Sequence, residues 1–472
     1  MQRWVFPVVV IVTFAAFAAV SWGHWTRNPD DLSLRELGEA AGEAYIYAYP
    51  LLVMDQTRAA MLAAPETQDR PSFTINRLSH IRRPPRYGEE AVVRPSLDTL
   101  YSIAWLDLSE GPVILRWPEM GERYWLFQVM DAWTDVAGAP GTRTRGSGPG
   151  AAMISGPGWD GPALPGMAHI GVDTNMAWII GRIEVSPDQA DLRAAGALQD
   201  QFLLSGPDIS AAPATPPALG ERPPEVVAAL GADEVVERLL RLIAENPPRA
   251  TDGAMAAHLR ALGVGPGASS ADQTGWVAEW AIGRGVEVAR QRLVDGVAER
   301  PYGPTGWRTL RAGVGDYGAN YGLRAGVALM GLGANLPEDA IYPTTDRDAD
   351  GSLLSGNNTY RIRFEPHALP PTGAFWSITA YDASGFLLES DRHAITDRDP
   401  LVRDGDGGLT LTIGRRPLNN ASVENHLPTP SGEPFQLTAR LYLPDESMLS
   451  GEWRMPPVER ISLAETDPGS AR

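Results

Sequence analysis

Cysteine is absent from the sequence. Its absence excludes disulfide bonds, thiolate nucleophiles, cysteine-ligated zinc and iron–sulfur clusters. The chain also has no run of clustered basic residues, and its formal net charge is −18 with a pI near 4.9. Nucleic acids and anionic membrane surfaces both attract cationic protein surfaces. We therefore expect neither of them as a partner.

Familiar catalytic motifs are missing as well. The sequence contains no G-x-S-x-G nucleophile elbow, no H-E-x-x-H zinc motif, no phosphate-binding P-loop and no dinucleotide fingerprint between a strand and a helix. The seven histidines are widely spaced along the chain, so only the fold could assemble a histidine metal site. No cofactor is predicted.

The composition is that of a folded globular protein, with 43% hydrophobic and 21% charged residues. A chain of 472 residues is long enough for two or three domains. Changes in residue composition and in the pattern of apolar residues along the chain predict four parts. They are a membrane anchor or signal segment (1–30), an N-terminal β-rich domain with a leading helix (31–223), a helical region (224–335) and a C-terminal β-sandwich domain (336–472).

The apolar segment from Trp4 to Trp22 predicts export. Its nineteen residues would reach about 28 Å as a helix, close to the ~30 Å hydrocarbon thickness of a bilayer. Flanking tryptophans at 22 and 25 favour a retained anchor, whereas Ala19-Val20-Ser21 offers a signal-peptidase exit. Both outcomes predict a cell-envelope protein, either anchored in the inner membrane and facing the periplasm or secreted to the periplasm.

The pattern of apolar residues predicts an α+β fold that is mainly β. Short strand-like runs broken by Gly and Pro occur on both sides of a helical stretch. We expect two antiparallel β-sandwich or jelly-roll-like modules with the helical region between them and the membrane segment at the N-terminus. A leading helix is predicted over 31–58, and the Tyr45, Tyr47, Tyr49 alternation predicts that it turns extended near Pro50.

An internal echo links the two β-rich parts. In both, an aromatic-Trp pair precedes Asp-Ala by the same offset, at Trp125 with Asp131 and at Trp376 with Asp382. Two interpretations stay open. The sandwich module is duplicated, or the similarity reflects the common sequence pattern of a strand that ends in a turn aspartate.

The densest polar stretch supplies the candidate site. Asp98 and Asp131 are expected at strand ends, where two carboxylates could perform acid/base hydrolysis. The same stretch offers ligand-binding candidates at Tyr101, Gln128 and Arg143. The alternative is that both aspartates cap turns and that Arg143 is their ion partner.

Two further ligand-binding candidates lie outside that stretch. Arg324, beside Tyr321 in a glycine-rich helix start, either faces a ligand or belongs to a close helix contact. Trp376 could be an aromatic platform for a sugar ring, although most aromatic residues in strands are core.

A weak metal site is suggested by Asp346, Asp348 and Asp350. With Gly351 they match the first half of a calcium-binding EF-hand loop. The twelfth position is Asn357 instead of the bidentate glutamate, and strand-like runs follow. An acidic surface turn is the alternative interpretation.

Several motifs together resemble the bacterial proteins that join two domains of unknown function, DUF1254 and DUF1214, in one chain. The resemblance rests on these segments: Ala44 to Pro50, Asp98 to Ser102, Trp105 to Leu108, Gly141 to Arg143, Trp178 to Arg182, Ile341 to Pro343, Phe375 to Ser377, Tyr381-Asp382, Asp397 to Asp399, Leu427-Pro428 and Pro456 to Arg460. It implies β modules with a helical region between them and a frequent export signal. It implies no established activity.

These observations predict an exported envelope protein with a pocket for a small or carbohydrate-like ligand. Whether the protein is an enzyme stays open. If it is one, Asp98 and Asp131 suggest a hydrolase that uses a carboxylate pair. The alternative function is a non-enzymatic envelope assembly protein that meets a partner through an exposed surface.

Overall fold

The computed structural model describes residues 33–89, 93–208, 222–261, 276–417, 422–430 and 432–461. The segment from Trp4 to Trp22 lies outside these ranges. Within them, no helix combines the length and the apolar character that crossing a membrane requires.

The leading helix, α1, spans Leu34–Ala63 and is longer than expected. It begins at a capping box, in which the Ser33 and Glu36 side chains bind each other's backbone N–H groups. The predicted change to an extended segment near Pro50 is wrong, because the helix continues through that proline. Residues 44–54 are buried on every side, so tertiary packing offsets the backbone hydrogen bond that proline cannot make.

The helical region packs around α1 in one hydrophobic core. Glycines permit the closest approach, since a Cβ placed on Gly285 of α7 would lie 2.0 Å from the Gly38 carbonyl oxygen of α1. The helices after α1 are α2 (Thr142–Arg145), α3 (Gln189–Gln199), α4 (Pro223–Ala229), α5 (Ala232–Glu245), α6 (Gly253–Ala261), α7 (Trp276–Ala298), α8 (Tyr321–Gly331) and α9 (Glu446–Ser450), with 3-10 turns at Ala250–Asp252 and Val423–Asn425.

The N-terminal β module consists of two sheets packed face to face. Its strands are β1 (Ser79–His80), β2 (Thr99–Asp107), β3 (Val113–Trp117), β4 (Trp125–Asp131), β5 (Val136–Gly138), β6 (Gly150–Ser155), β7 (Ala168–Gly171), β8 (Met176–Glu184) and β9 (Leu203–Ser205). The sheet orders are β1-β2-β8-β4-β5 and β7-β6-β3-β9. Apolar residues from both sheets form one core between them.

The C-terminal β module is also built from two sheets around its own core. Its strands are β10 (Ala340–Ile341), β11 (Thr344–Thr345), β12 (Tyr360–Phe364), β13 (Trp376–Asp382), β14 (Ala394–Thr396), β15 (Leu409–Gly414), β16 (His426–Pro428), β17 (Phe435–Tyr442) and β18 (Glu459–Arg460). The sheet orders are β10-β17-β13-β14, with β11 also paired to β17, and β16-β15-β12-β18.

The α+β class with antiparallel sheets is therefore confirmed. Two strand pairs, β6 with β7 and β15 with β16, are parallel exceptions. The predicted domain boundaries stay predictions. A smaller aromatic cluster joins the two β modules, with Tyr124 and Leu126 on one side and Phe375 and Tyr442 on the other. This junction holds the candidate site.

Candidate functional site

The five-stranded sheet β1-β2-β8-β4-β5, which we call the central sheet, is buried on both of its faces. One face of β2, β8 and β4 belongs to the core of that module. The opposite face carries Tyr101 and Arg182, which are direct cross-strand partners. Arg182 is also opposite Leu126 on β4. This second face is covered by helices at one end and by the C-terminal module at the other.

An arginine–tyrosine cluster lies where the C-terminal module covers that face. We define it as Arg182 and the four tyrosines that interact electrostatically with its guanidinium, which are Tyr101, Tyr124, Tyr342 and Tyr442. The Arg182 guanidinium lies 5.4 Å from the centre of the Tyr101 ring. Two tyrosines come from each β module, so only the assembled chain forms the cluster.

Among the residues that the structure describes, Arg182 has no carboxylate partner. Its side chain is buried, with 8% exposed, and its Nη2 donates to the Gly333 carbonyl oxygen at 3.1 Å. Its Nη1 has no hydrogen-bond partner among the described residues. A buried guanidinium is costly unless its charge is paired. The position is therefore suited to an anion.

Two amide side chains extend the cluster. Gln128 donates from Nε2 to the Gly333 carbonyl at 3.0 Å, so it shares that acceptor with Arg182. Asn335 accepts from the Tyr342 hydroxyl at 2.5 Å. Both are 1% exposed, and each keeps one polar atom without a partner among the described residues, Oε1 of Gln128 and Nδ2 of Asn335.

Burial holds three tyrosines of the cluster, Tyr124, Tyr342 and Tyr442, in their protonated form. Burial raises the pKa of Tyr342 to about 12 and raises the pKa values of Tyr124 and Tyr442 well above the ordinary range. At neutral pH these three hydroxyls are therefore hydrogen-bond donors. The Tyr124 hydroxyl has no partner among the described residues. Tyr101 and Tyr342 are half-buried and mark the side of the cluster nearest to solvent.

Asp98 and Asp131 do not form a carboxylate pair. Both are buried, but they lie at opposite ends of β8, since the Asp98 carbonyl binds the Val185 N–H and Asp131 pairs with Ala177. Eight residues of extended chain separate these positions, or about 26 Å at ~3.3 Å per residue. Carboxylate pairs in glycoside hydrolysis work at roughly 5–9.5 Å. The predicted pair mechanism is thus contradicted by the strand register.

Asp98 instead connects the two β modules. Its Oδ2 accepts from the Ser377 hydroxyl at 2.6 Å, and its Oδ1 accepts from Arg398 Nη2 at 2.9 Å. Arg143 makes a second connection through two 2.8 Å bonds to Asp339. The expected ion pairing of Arg143 with Asp98 or Asp131 is therefore wrong.

Asp131 closes the turn that follows β4. Its Oδ1 accepts from the backbone N–H groups of Trp133 and Asp135, both at 2.9 Å. Asp382 at the end of β13 makes the same two bonds, to Ser384 and Phe386. The echo seen in the sequence thus corresponds to two strands that each end in a turn aspartate. Burial and the nearby Asp135 charge raise the pKa of Asp131 to about 7.

Arg324 belongs to a second buried network, away from Arg182. Its guanidinium lies 4.8 Å from the centre of the Tyr47 ring and 5.1 Å from that of Tyr321. Asp252 accepts from both tyrosine hydroxyls, at 3.0 and 3.1 Å, and from Arg249. This ion network ties α1, α8 and the 3-10 turn at 250–252 together. Within it, Nε and Nη1 of Arg324 have no hydrogen-bond partner among the described residues, but Nη1 lies 3.7 and 3.9 Å from carboxylate oxygens of Asp135 and Asp252.

The remaining sequence candidates are Trp376 and the three aspartates of the suggested calcium loop, and their contacts are with neighbouring parts of the protein. Trp376 is buried in the core of the C-terminal module. Asp348 accepts from the N–H groups of Asp350 and Ser352, and Asp346 accepts from the Tyr302 hydroxyl. Among the described residues no group of three acidic or histidine side chains could hold a metal ion. The suggested calcium site at Asp346, Asp348 and Asp350 is therefore wrong, because these carboxylates do not come together in an arrangement that could hold a metal ion.

The structure brings Tyr101 and Gln128 of the predicted set to the same cluster, and adds five residues that sequence reasoning missed. Those five are Tyr124, Arg182, Asn335, Tyr342 and Tyr442. A signal existed for Arg182, because it is the one charged residue in the apolar run of β8 before Glu184. A charge in such a strand must find a partner or a ligand.

Comparisons with known proteins identify the family but no activity. The chain matches a family model described as a protein of unknown function, DUF1254, over residues 75–206. A second model of unknown function, DUF1214, matches residues 339–446. No curated protein matches the chain.

A solved structure of a bacterial protein shares the fold. The crystal structure of the VPA0106 protein from Vibrio parahaemolyticus is 23% identical, with a TM-score of 0.67 over 90% of this chain and 100% of that one. An uncharacterized protein from Burkholderia cenocepacia is 12% identical, with a TM-score of 0.45 over 91% of this chain and 95% of that chain. The chain belongs to the tandem family in which a DUF1254 domain precedes a DUF1214 domain.

Proposed function

We propose that the protein binds a small anionic ligand at the arginine–tyrosine cluster between its two β modules. The observation that carries the proposal is Arg182, a buried guanidinium with a free Nη1 and no carboxylate partner among the described residues. The neighbouring Arg143 and Arg398, by contrast, are each paired with carboxylates.

Charge and hydrogen bonding both favour an anion here. A carboxylate beside Arg182 would accept charge-assisted hydrogen bonds, which are about twice as strong as neutral ones. The Tyr124 hydroxyl and the Asn335 amide offer further donors. A carbohydrate-like acid fits this donor set better than a neutral sugar, because a neutral sugar would leave the arginine charge unpaired.

The proposal is one of binding rather than of hydrolysis by two carboxylates. The chain contains no lysine, so all forty of its basic residues are arginines. Lacking lysine and cysteine, it has neither a thiolate nor a lysine imine for covalent catalysis. Localisation in the cell envelope stays a prediction from Trp4 to Trp22, which membrane fractionation with detection of that segment would test.

Ligand-dependent thermal stability tests the binding proposal. The full chain is titrated with sodium propionate and sodium lactate against sodium chloride of equal ionic strength. A ligand that binds only the native state at a hundredfold excess over its Kd stabilises by about 2.7 kcal/mol. We expect Tm to rise with the carboxylates and not with chloride.

Arg182→Gln should abolish that rise, whereas Arg193→Gln should keep it. Arg193 is an exposed arginine of α3, so its variant removes the same charge away from the cluster. If neither carboxylate raises the Tm of the unmodified chain, or if both variants respond equally, binding at Arg182 is refuted and the assembly alternative is favoured.

A further inference from the structure

The orphaned polar atoms around Arg182 include an acceptor as well as donors. Gln128 directs its Nε2 toward two carbonyl oxygens, of Gly333 at 3.0 Å and of Ala334 at 3.3 Å. Turning the amide over would place Oε1 against those same oxygens, so the orientation is fixed by the network. Oε1 is therefore an oriented acceptor, buried and without a donor among the described residues.

A carboxylate or halide ion cannot satisfy that acceptor. Both ions accept hydrogen bonds, but neither has a hydrogen to donate. An anion placed against Arg182 would leave Gln128 Oε1 unpaired, and an unpaired buried acceptor costs free energy. The ligand that completes the cluster therefore carries a donor next to its anionic group.

The side chains of Gln128 and Arg182 are neighbours, which favours a ligand whose donor and anionic group are close together. Gln128 Nε2 and Arg182 Nη2 both donate to the Gly333 carbonyl oxygen, at 3.0 and 3.1 Å. Their side chains extend from neighbouring strands, with Gln128 two residues beyond the Arg182 partner Leu126. We infer from this neighbourhood that the ligand carries its hydroxyl close to its carboxylate.

We propose that the ligand class is a hydroxy acid, with its carboxylate on Arg182 and its hydroxyl donating to Gln128 Oε1. This inference rests on the proposed anion-binding function and specifies its chemistry. The free donors at Tyr124 and Asn335 take the remaining oxygen lone pairs. A hydroxyl serves both roles, since it donates one bond and accepts two.

The test compares three carboxylates that differ at one position. Lactate carries a 2-hydroxyl, 2-fluoropropionate carries a fluorine of similar size that cannot donate, and propionate carries hydrogen. Isothermal titration of the full chain is expected to give an affinity for lactate about 3–10-fold higher than for either analogue, the range of one neutral hydrogen bond.

Two variants assign the preference to its residue. Gln128→Met removes the acceptor and should bring the lactate-to-propionate ratio to about one while both still bind. Gln201→Met is the matched control, because Gln201 is exposed and bonds only within its own helix turn, and it should keep the ratio. The three-ligand comparison needs no variant, so it decides the question even if Gln128→Met fails to fold.

The outcomes separate the two proposals. Equal affinity for lactate, 2-fluoropropionate and propionate overturns the hydroxy-acid inference and leaves anion binding standing. A lactate preference that survives Gln128→Met overturns the assignment to Gln128. Absence of binding by all three overturns both proposals, and a lactate preference lost in Gln128→Met alone supports both.

Discussion

Replacing Arg249 by methionine should cost about 3 kcal/mol of unfolding free energy. Arg249 binds both carboxylate oxygens of Asp252 at 3.0 and 3.1 Å, pairs with Asp135 at 2.5 Å and donates to the Gly318 carbonyl at 2.8 Å. Methionine keeps much of the apolar stem and removes every one of these bonds. Removing one partner of a buried ion pair typically costs about 3–5 kcal/mol.

The lower end of that range follows from the groups that remain. Asp252 keeps hydrogen bonds from the hydroxyls of Tyr47 and Tyr321. Arg324 stays 3.7 Å from Asp135 and 3.9 Å from Asp252, close enough for a weaker ion pair. The carboxylates are therefore not left wholly unpaired, and about 3 kcal/mol is the expected loss.

Urea denaturation at pH 7, followed by circular dichroism and tryptophan fluorescence, measures this loss. Arg241→Met is the matched control, since Arg241 also joins two helices through Asp55 but its side chain is 44% exposed. Exposed pairs contribute about 0–1 kcal/mol. A loss of less than about 1 kcal/mol for Arg249→Met, equal to that of the control, would refute the view that this network holds the helices.

Two further predictions follow from the burial of single groups. The pKa of Asp131 is about 7 in the folded protein against 3.8 ordinarily, so its stabilising contribution is full below pH 4 and is lost as pH rises through 7. From pH 5 to pH 8 the unmodified chain should therefore lose about 2 kcal/mol of unfolding free energy relative to Asp131→Asn. Urea denaturation that gives both proteins the same dependence of unfolding free energy on pH would contradict this. Gly285→Ala should lower the Tm through a clash costing about 1–3 kcal/mol, because its Cβ would lie 2.0 Å from the Gly38 oxygen. Gly296→Ala in the same helix meets no atom within 4 Å and should raise Tm slightly, by about 0.5–1 kcal/mol of stability; a similar Tm for both variants would count against the close helix contact.

Much of the secondary structure could be predicted from local pattern. The apolar, strand-like runs that the pattern predicts before the helical stretch include β2 and β4. The extended segment expected near Pro50 failed, because burial on all sides of α1 outweighs the local preference of proline.

The side-chain alternation of a strand assigns residues to two faces but does not say what covers each face. On β13, the strand that carries Trp376, six of the seven residues are buried, so the usual contrast of polar and apolar residues is weakened. The alternation along this strand therefore does not show that Trp376 lies in the core rather than against a ligand. Its neighbour Ser377 is the residue that reaches Asp98 across the module junction.

The sequence by itself determined the absence of thiol and lysine chemistry, the acidic charge, the α+β class and the tandem family. Tertiary structure decided which polar residues meet. Arg182 lies 160 residues before Tyr342 and 260 before Tyr442, and no local spacing encodes that encounter. It arises because the second face of the central sheet must be covered, and the C-terminal module covers it with tyrosines. The same packing places Asp98 and Asp131 at opposite ends of β8, where strand register overrides their nearness in sequence.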